Sequence, residues 1–329
     1  MKRRHFLARA AAASALLSSP ATLRAQGTLT DLSTRIASLD QLHSLQVQRG
    51  DEIVFAEAPR GSGLDRLANI KSCSKSLVGL LLGDAIASGV IASVDAPLST
   101  VAPRLIPSDT DPRVPDITME DLVSLRAGLE ATSGANYGGW VASNNWVANA
   151  LSREMVAAPG GRMIYSTGST HILGAALTEA TGESLLSQAR RVLGQTLGID
   201  IPPWTRDPQG YYMGGNEMAL TPRAMLKIAV MMRDGGTYEG TTVLPQSWIS
   251  ASTRPRTRSP WSGMSYGYGW FLTDRGYILA RGYGGQIIAA HPDLNLAVAL
   301  TSDPLRPARS GGYFDDIMDL LNGPVLELA

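Results

Sequence analysis

Hydrophobic and polar positions divide the chain into three zones. In the first, Asp31 to Leu42 reads as a helix. Two short apolar runs, Leu45 to Gln48 and Ile53 to Ala56, then flank an Arg49-Gly50-Asp51 turn, the pattern of a β-hairpin. From Ser72 to about Ser88, Leu77, Val78, Leu80, Leu81, Leu82, Ala85 and Ile86 surround most of a helix with apolar side chains, and Gly89 stops it. A helix apolar on nearly all sides is expected to be buried.

The second zone, about residues 90–235, is helical and rich in loops. Thr118 to Asp121 opens a short helix with a capping box, stopped by Gly128. Gly134 to Trp140 reads as a loop. Helices are expected over Asn144 to Leu151, Ser169 to Ala180, Ser184 to about Leu193 and Leu220 to Arg233, the last with Thr221 as cap and Pro222 in its first turn. After about Gly240 the pattern changes to strands at Tyr266 to Leu272, Tyr277 to Arg281, Gln286 to Ala290 and Leu296 to Thr301. Tight turns join them into an antiparallel meander, followed by a helix from Phe314 to Leu321. An isolated hairpin is marginal in water, so the early hairpin is expected to join the late meander in one sheet. The fold class expected is α/β in the α+β sense: an antiparallel sheet (about residues 26–89 and 236–329) flanked by helices, with a mainly helical insert beside it and a cleft between the two.

Composition narrows the function. The 329 residues are 44% hydrophobic, with 29 basic and 29 acidic residues balancing to zero net charge. That argues against a nucleic-acid-binding stripe or a charged tether. Cys73 is the single cysteine, and His5, His43, His171 and His291 form no metal-spaced cluster, so neither metal nor cofactor is expected. Lys2-Arg3-Arg4-His5-Phe6-Leu7 is a twin-arginine pattern ahead of an Ala-rich apolar run. It reads as a signal peptide over residues 1–25, with cleavage after Ala25 or Ala21, and predicts a periplasmic or secreted mature protein of residues 26–329. No later segment is long and apolar enough to cross a membrane. The expected partner is a small-molecule ester, amide or peptide-like substrate, with oligomeric state open.

The chemistry centres on Ser72-Cys73-Ser74-Lys75. Residues three apart share a helix face, so the Ser72 hydroxyl and Lys75 amine can meet within the motif itself. A lysine held in a dry pocket loses proton affinity and can serve as base for a serine nucleophile. The pair alone is equally compatible with a solvated helix start bearing a snorkelling lysine. Lysine is scarce, however: the others are Lys2, Lys71 and Lys227. Cys73 reads as a small buried residue. Tyr137, Trp140 and Trp146 read either as core or as the wall of an apolar acyl pocket. With no Gly-x-Ser-x-Gly elbow, an α/β-hydrolase triad is disfavoured.

Several stretches together carry a resemblance. They are Ser72-x-x-Lys75-Ser76; Ile117-Thr118-Met119-Glu120-Asp121-Leu122-Val123-Ser124-Leu125 through Gly128-Leu129; Pro159-Gly160 followed by Tyr165-Ser166-Thr167; and Gly282-Tyr283-Gly284-Gly285. In this layout the chain resembles the serine β-lactamase and penicillin-recognising (transpeptidase-like) superfamily. The likeness is to its class-C-like branch of esterases, D-amino-acid peptidases and amide hydrolases, leaning toward 6-aminohexanoate-dimer hydrolase. The resemblance implies Ser72 as nucleophile, Lys75 as base, and Tyr165 as proton shuttle with its phenol pKa lowered by the lysine ammonium. It implies an oxyanion hole from the backbone N–H groups of Ser72 and Tyr283, with Gly282 and Gly284 clearing the substrate's approach. Thr167 stands where the family has Asn, in a substrate-binding position. Ala280 stands at the Lys or His position of the third motif, with Arg281 pointing away unless the register shifts by one. An ester or linear amide is therefore the expected substrate. The alternatives are a β-lactamase or D,D-peptidase, and, of another kind, a catalytically weak penicillin-binding-like sensor.

Overall fold

The computed structural model describes residues 20–329, with side chains from Leu29 onward. The expected leader falls for the most part outside the described residues. The first helix, α1, spans Pro20–Ser38 and so starts earlier than its apolar pattern suggests.

Eight strands make one antiparallel sheet: β1 (Leu42–Arg49), β2 (Glu52–Glu57), β3 (Thr257–Arg258), β4 (Ser265–Tyr266), β5 (Phe271–Leu272), β6 (Ile278–Gly282), β7 (Gln286–His291) and β8 (Leu296–Ser302). Their spatial order is β2-β1-β8-β7-β6-β5-β4-β3, so the early hairpin does pair with the last strand of the meander. The β1–β8 register runs from Leu42↔Ser302 to Arg49↔Leu296.

Side-chain alternation builds two different faces. One carries Leu45, Val47, Leu279, Ile287, Val298 and Leu300, covered by Leu32 and Ile36 of α1 and by Phe314, Ile317 and Leu320 of the C-terminal helix Tyr313–Leu320. The other carries Ala280, Ala290, Ala297 and Ala299 beside Ile278 and Ile288. These small side chains let the helix Pro222–Arg233 lie close on β1, β7 and β8. That helix, grouped by its sequence position with the insert, therefore belongs to the sheet's own packing.

The helix α2 (Ser74–Ala87) is buried over nearly all its length, as its apolar pattern requires. Burying each large aliphatic side chain is worth roughly 1.5–3 kcal/mol, so α2 is a rigid mount for whatever its N-terminus carries. Two of its glycines permit that packing. A Cβ on Gly79 would meet the Tyr268 carbonyl at 2.9 Å, and one on Gly83 would meet the Trp248 indole at 2.3 Å.

The expected strand Tyr266 to Leu272 is in fact two short strands with a bend between. Gly269 has a φ of +85°, and its open side lies against Ser76 Cα and the Lys75 carbonyl. Ser76 Oγ donates to the Gly269 carbonyl. The chain leaves the sheet here to grip α2, which overrides the local strand preference. Gly134 to Trp140, expected as loop, forms a tight turn at Gly134–Asn136 and a short helix at Tyr137–Val141. The capping box at Thr118 and Asp121 is present as expected.

Candidate active site

A single 3₁₀ turn, Lys71–Cys73, leads into α2, so Ser72 sits just ahead of the α-helix rather than within it. Ser72 is part-exposed, while Lys75 is 2% exposed and its amine points back at the serine. Lys75 Nζ lies 3.1 Å from Ser72 Oγ, 3.3 Å from Thr167 Oγ1 and 2.7 Å from the Gly215 carbonyl oxygen. Burial drives the lysine pKa down to about 7.

These three neighbours match both protonation states. As ammonium, Lys75 has three N–H donors for three oxygens. As neutral amine, it keeps two N–H groups for Gly215 and Thr167, and its lone pair faces the Ser72 hydroxyl. A group that is satisfied either way can take and return a proton without leaving a buried polar atom unpaired.

Tyr165 stands across from the pair. Lys75 Nζ lies over the tyrosine ring, 4.9 Å from its centroid, and the phenol is in hydrogen-bonding reach of Ser72. The expected lowering of the phenol pKa by the lysine does not occur. Burial raises it, against opposing contributions from the Ser72 hydrogen bond and then the Arg281 charge. The physical reason is that the phenol is buried, and that a lysine with a pKa of about 7 carries no charge where a phenol ionises. Tyr165 is therefore a protonated phenol at neutral pH, suited to donate.

Thr167 also differs from its expected place. It is buried in the first turn of the helix Thr167–Thr181. Its hydroxyl contacts Lys75 and Ser133 Oγ (3.1 Å), and its N–H donates to Ser133 Oγ (2.9 Å). These contacts tie it to the lysine.

The two glycines expected to clear the substrate's path are filled by protein. A Cβ on Gly282 would lie 2.4 Å from the Ile70 carbonyl, and one on Gly284, at φ +83°, would lie 2.3 Å from the Asp303 carbonyl. Gly282 thus lets the end of β6 press on the residue that opens the nucleophile turn. Cys73 fastens the same junction, since its buried Sγ donates to the Gln286 carbonyl at 3.4 Å. Tyr283 follows Gly282 directly in the chain. The side chain of Tyr283 itself is 53% exposed.

The register in β6 leaves no cation at the third-motif position. Ala280 pairs with Ile288 and is buried against the helices. Arg281 points to the opposite face, with its guanidinium 3.3 Å from the Phe314 ring centroid and donating to the Ala308 carbonyl at 2.8 Å. Burial lowers its pKa to about 10. Trp140 and Trp146 are core residues that pack on each other and on His171. Tyr137 is part-exposed, its hydroxyl accepting from Asn216 Nδ2 at 3.0 Å.

Three parts of the site had no sequence signal of their own. The first is Ser133, in a loop behind Thr167. The second is the Gly215 carbonyl, since any residue carries one. The third is the fastening of the segment around Gly215. At one end Gly214 packs on the Thr170 carbonyl and its N–H donates to His171 Nδ1, which leaves the ring N–H on Nε2 to donate to buried Asp207 at 3.1 Å. At the other end Glu217 takes Lys71 Nζ at 3.1 Å and Asn69 Nδ2 at 2.7 Å. Lys71 and Glu217 both hold positive φ, +51° and +68°, conformations that non-glycine residues adopt at a cost. Their ion pair holds the nucleophile turn and the Gly215 segment in fixed relation.

A serine, a buried lysine of lowered pKa and a protonated tyrosine around one accessible hydroxyl define a site able to carry out serine acyl transfer. Residues 44–315 match the Beta-lactamase family, and the chain belongs to that family. No curated protein matches the sequence. Solved structures share the fold at low identity. A candidate 6-aminohexanoate-dimer hydrolase from Bacillus anthracis is 15% identical with a TM-score of 0.75, covering 90% of this chain and 80% of its own. EstCE1, a hydrolase with promiscuous acyltransferase activity, is 17% identical with a TM-score of 0.74, covering 92% of this chain and 98% of its own. A penicillin-binding protein homologue from Caulobacter crescentus is 16% identical with a TM-score of 0.73, covering 90% of this chain and 97% of its own. The chain is thus a member of the Beta-lactamase family with the fold that these structures share.

Proposed function

We propose that the protein hydrolyses an ester or linear amide through an acyl-enzyme on Ser72. Ser72 Oγ attacks the carbonyl carbon while its proton passes to the lone pair of Lys75. The N–H groups of Ser72 and Tyr283 receive the developing oxyanion. Tyr165 donates its proton to the leaving oxygen or nitrogen as the carbonyl–heteroatom bond breaks, and the Lys75 ammonium, which holds the former serine proton, returns a proton to the phenolate. Water then attacks the acyl-enzyme, giving its proton to the same base, and the acid is released. The observation that carries this reading is buried Lys75, whose pKa is driven down to about 7 by burial and whose Nζ lies 3.1 Å from Ser72 Oγ.

The choice of ester or linear amide over a β-lactam rests on β6. Ala280 cannot hold a substrate carboxylate, and the Arg281 guanidinium is taken up by Phe314 and the Ala308 carbonyl. A substrate panel tests this. p-Nitrophenyl butyrate is expected to turn over, with a burst of nitrophenolate, at a kcat/KM at least a hundredfold above that for a chromogenic cephalosporin or a D-Ala-D-Ala peptide. Ser72→Ala should be inactive on all three. A cephalosporin rate equal to the ester rate would favour the β-lactamase reading. Acylation without turnover on every substrate would favour the sensor.

A further inference from the structure

Trp261 occupies an unusual place for an exposed tryptophan. Its side chain is 67% exposed, yet its ring meets Tyr165 edge-on, with centroids 6.3 Å apart and planes at 85°. It sits at the tip of the β3–β4 hairpin. The turn is closed by Ser259 N–H donating to the Met264 carbonyl (2.9 Å) and Gly263 N–H to the Ser259 carbonyl (3.0 Å). Ser259 Oγ accepts from the N–H groups of Trp261 (3.4 Å) and Ser262 (3.3 Å), and Gly263 takes a φ of +67°. The turn's own bonds therefore fix the indole beside the phenol. An indole offers on the order of 200 Å² of apolar surface, most of which is uncovered here.

We infer that Trp261 is the binding platform for the substrate's leaving group, and that this group is planar and apolar, such as an aryl alcohol or aryl amine. The inference rests on the proposed reaction at Ser72. In that reaction the leaving heteroatom must face Tyr165, which protonates it, so the leaving group projects over the Tyr165 side of the serine. The surface met there is the indole. Arg281, whose charge acts on Tyr165, is held against Phe314 and Ala308, so it is already engaged and does not call for a charged leaving group. A flat aromatic can lie edge-on or offset against the indole, while a small alkyl group covers little of it.

The test compares leaving groups at constant acyl group. In Trp261→Ala, kcat/KM for 2-naphthyl butyrate should fall about tenfold, the size of an aromatic contact, while that for ethyl butyrate changes less than twofold. Trp261→Phe should be intermediate. The deacylation rate should not move, because the leaving group has already gone. Equal losses on both esters, or no loss on either, would overturn the inference. A second measurement separates it from the reaction itself: binding of 2-naphthol to Ser72→Ala should weaken about tenfold when Trp261→Ala is added. If wild type hydrolyses no ester, the acyl-enzyme reading fails, and unchanged naphthol affinity would reject the platform too.

Discussion

Lys75→Met should lower kcat/KM for esters by about a thousandfold, within the range for loss of a positioned general base, while leaving the fold intact. The variant keeps an unbranched chain in the same buried channel but removes the lone pair that faces Ser72. The pH profile supplies the sign. Burial lowers the Lys75 pKa to about 7, so below that value the amine is an ammonium with no lone pair. In wild type, kcat/KM should therefore climb about tenfold per pH unit below pH 7 and level off above it, and this limb should vanish in the residual activity of Lys75→Met. Stability should also rise with pH, but over a higher window. A lysine whose folded pKa lies below its unfolded value binds fewer protons when folded. Native stability thus rises with pH between about 7 and the ordinary lysine range, and its contribution is lost as pH falls toward 7. Lys75→Met removes that cost and should melt higher than wild type at pH 6. A flat wild-type profile from pH 5 to 9 would show that Lys75 is not the base.

Tyr165→Phe should separate leaving groups by their need for a proton. With its pKa raised by burial, the phenol is protonated at working pH and its contribution is donation. For an ethyl ester or an anilide, which depart poorly as anions, the variant should lose about 10²- to 10³-fold in kcat, with KM little changed. For a p-nitrophenyl ester, whose leaving group departs unprotonated, the loss should be tenfold or less. Equal loss on both would make Tyr165 a packing residue, consistent with nothing more than its contact to Trp261.

The division between what was legible in the sequence and what was not follows from the range of the forces involved. Ser72 and Lys75 were legible because helical spacing alone brings them together. The hairpin-plus-meander sheet was legible because its strands carry apolar residues bounded by turn signals, and because an orphan hairpin has to find a partner. The Tyr266 to Leu272 bend was not, because it comes from the close approach of Gly269 to α2, a contact between distant segments. The electrostatics of Tyr165 reversed for the same kind of reason. Spacing along the chain does not say how deeply a phenol and its neighbouring lysine are buried. The contact of Thr167 with Lys75, and the approach of Gly282 and Gly284 to the Ile70 and Asp303 carbonyls, were not legible either, since a sequence pattern does not say which way a short side chain or a missing Cβ points. The Lys71–Glu217 pair joins residues 146 positions apart, and no local pattern announces such a pairing.

The central claim is that Ser72 is a nucleophile activated by a neutral lysine. The most direct measurement is labelling with a fluorophosphonate at pH 5, 6, 7, 8 and 9, followed by peptide mapping and rate determination. The account predicts one modified residue, Ser72, labelled at a rate that follows the neutral fraction of Lys75 with a midpoint near pH 7, and no labelling in Ser72→Ala. Modification at another residue, or a folded wild-type protein whose Ser72 stays unlabelled across that range, would contradict it.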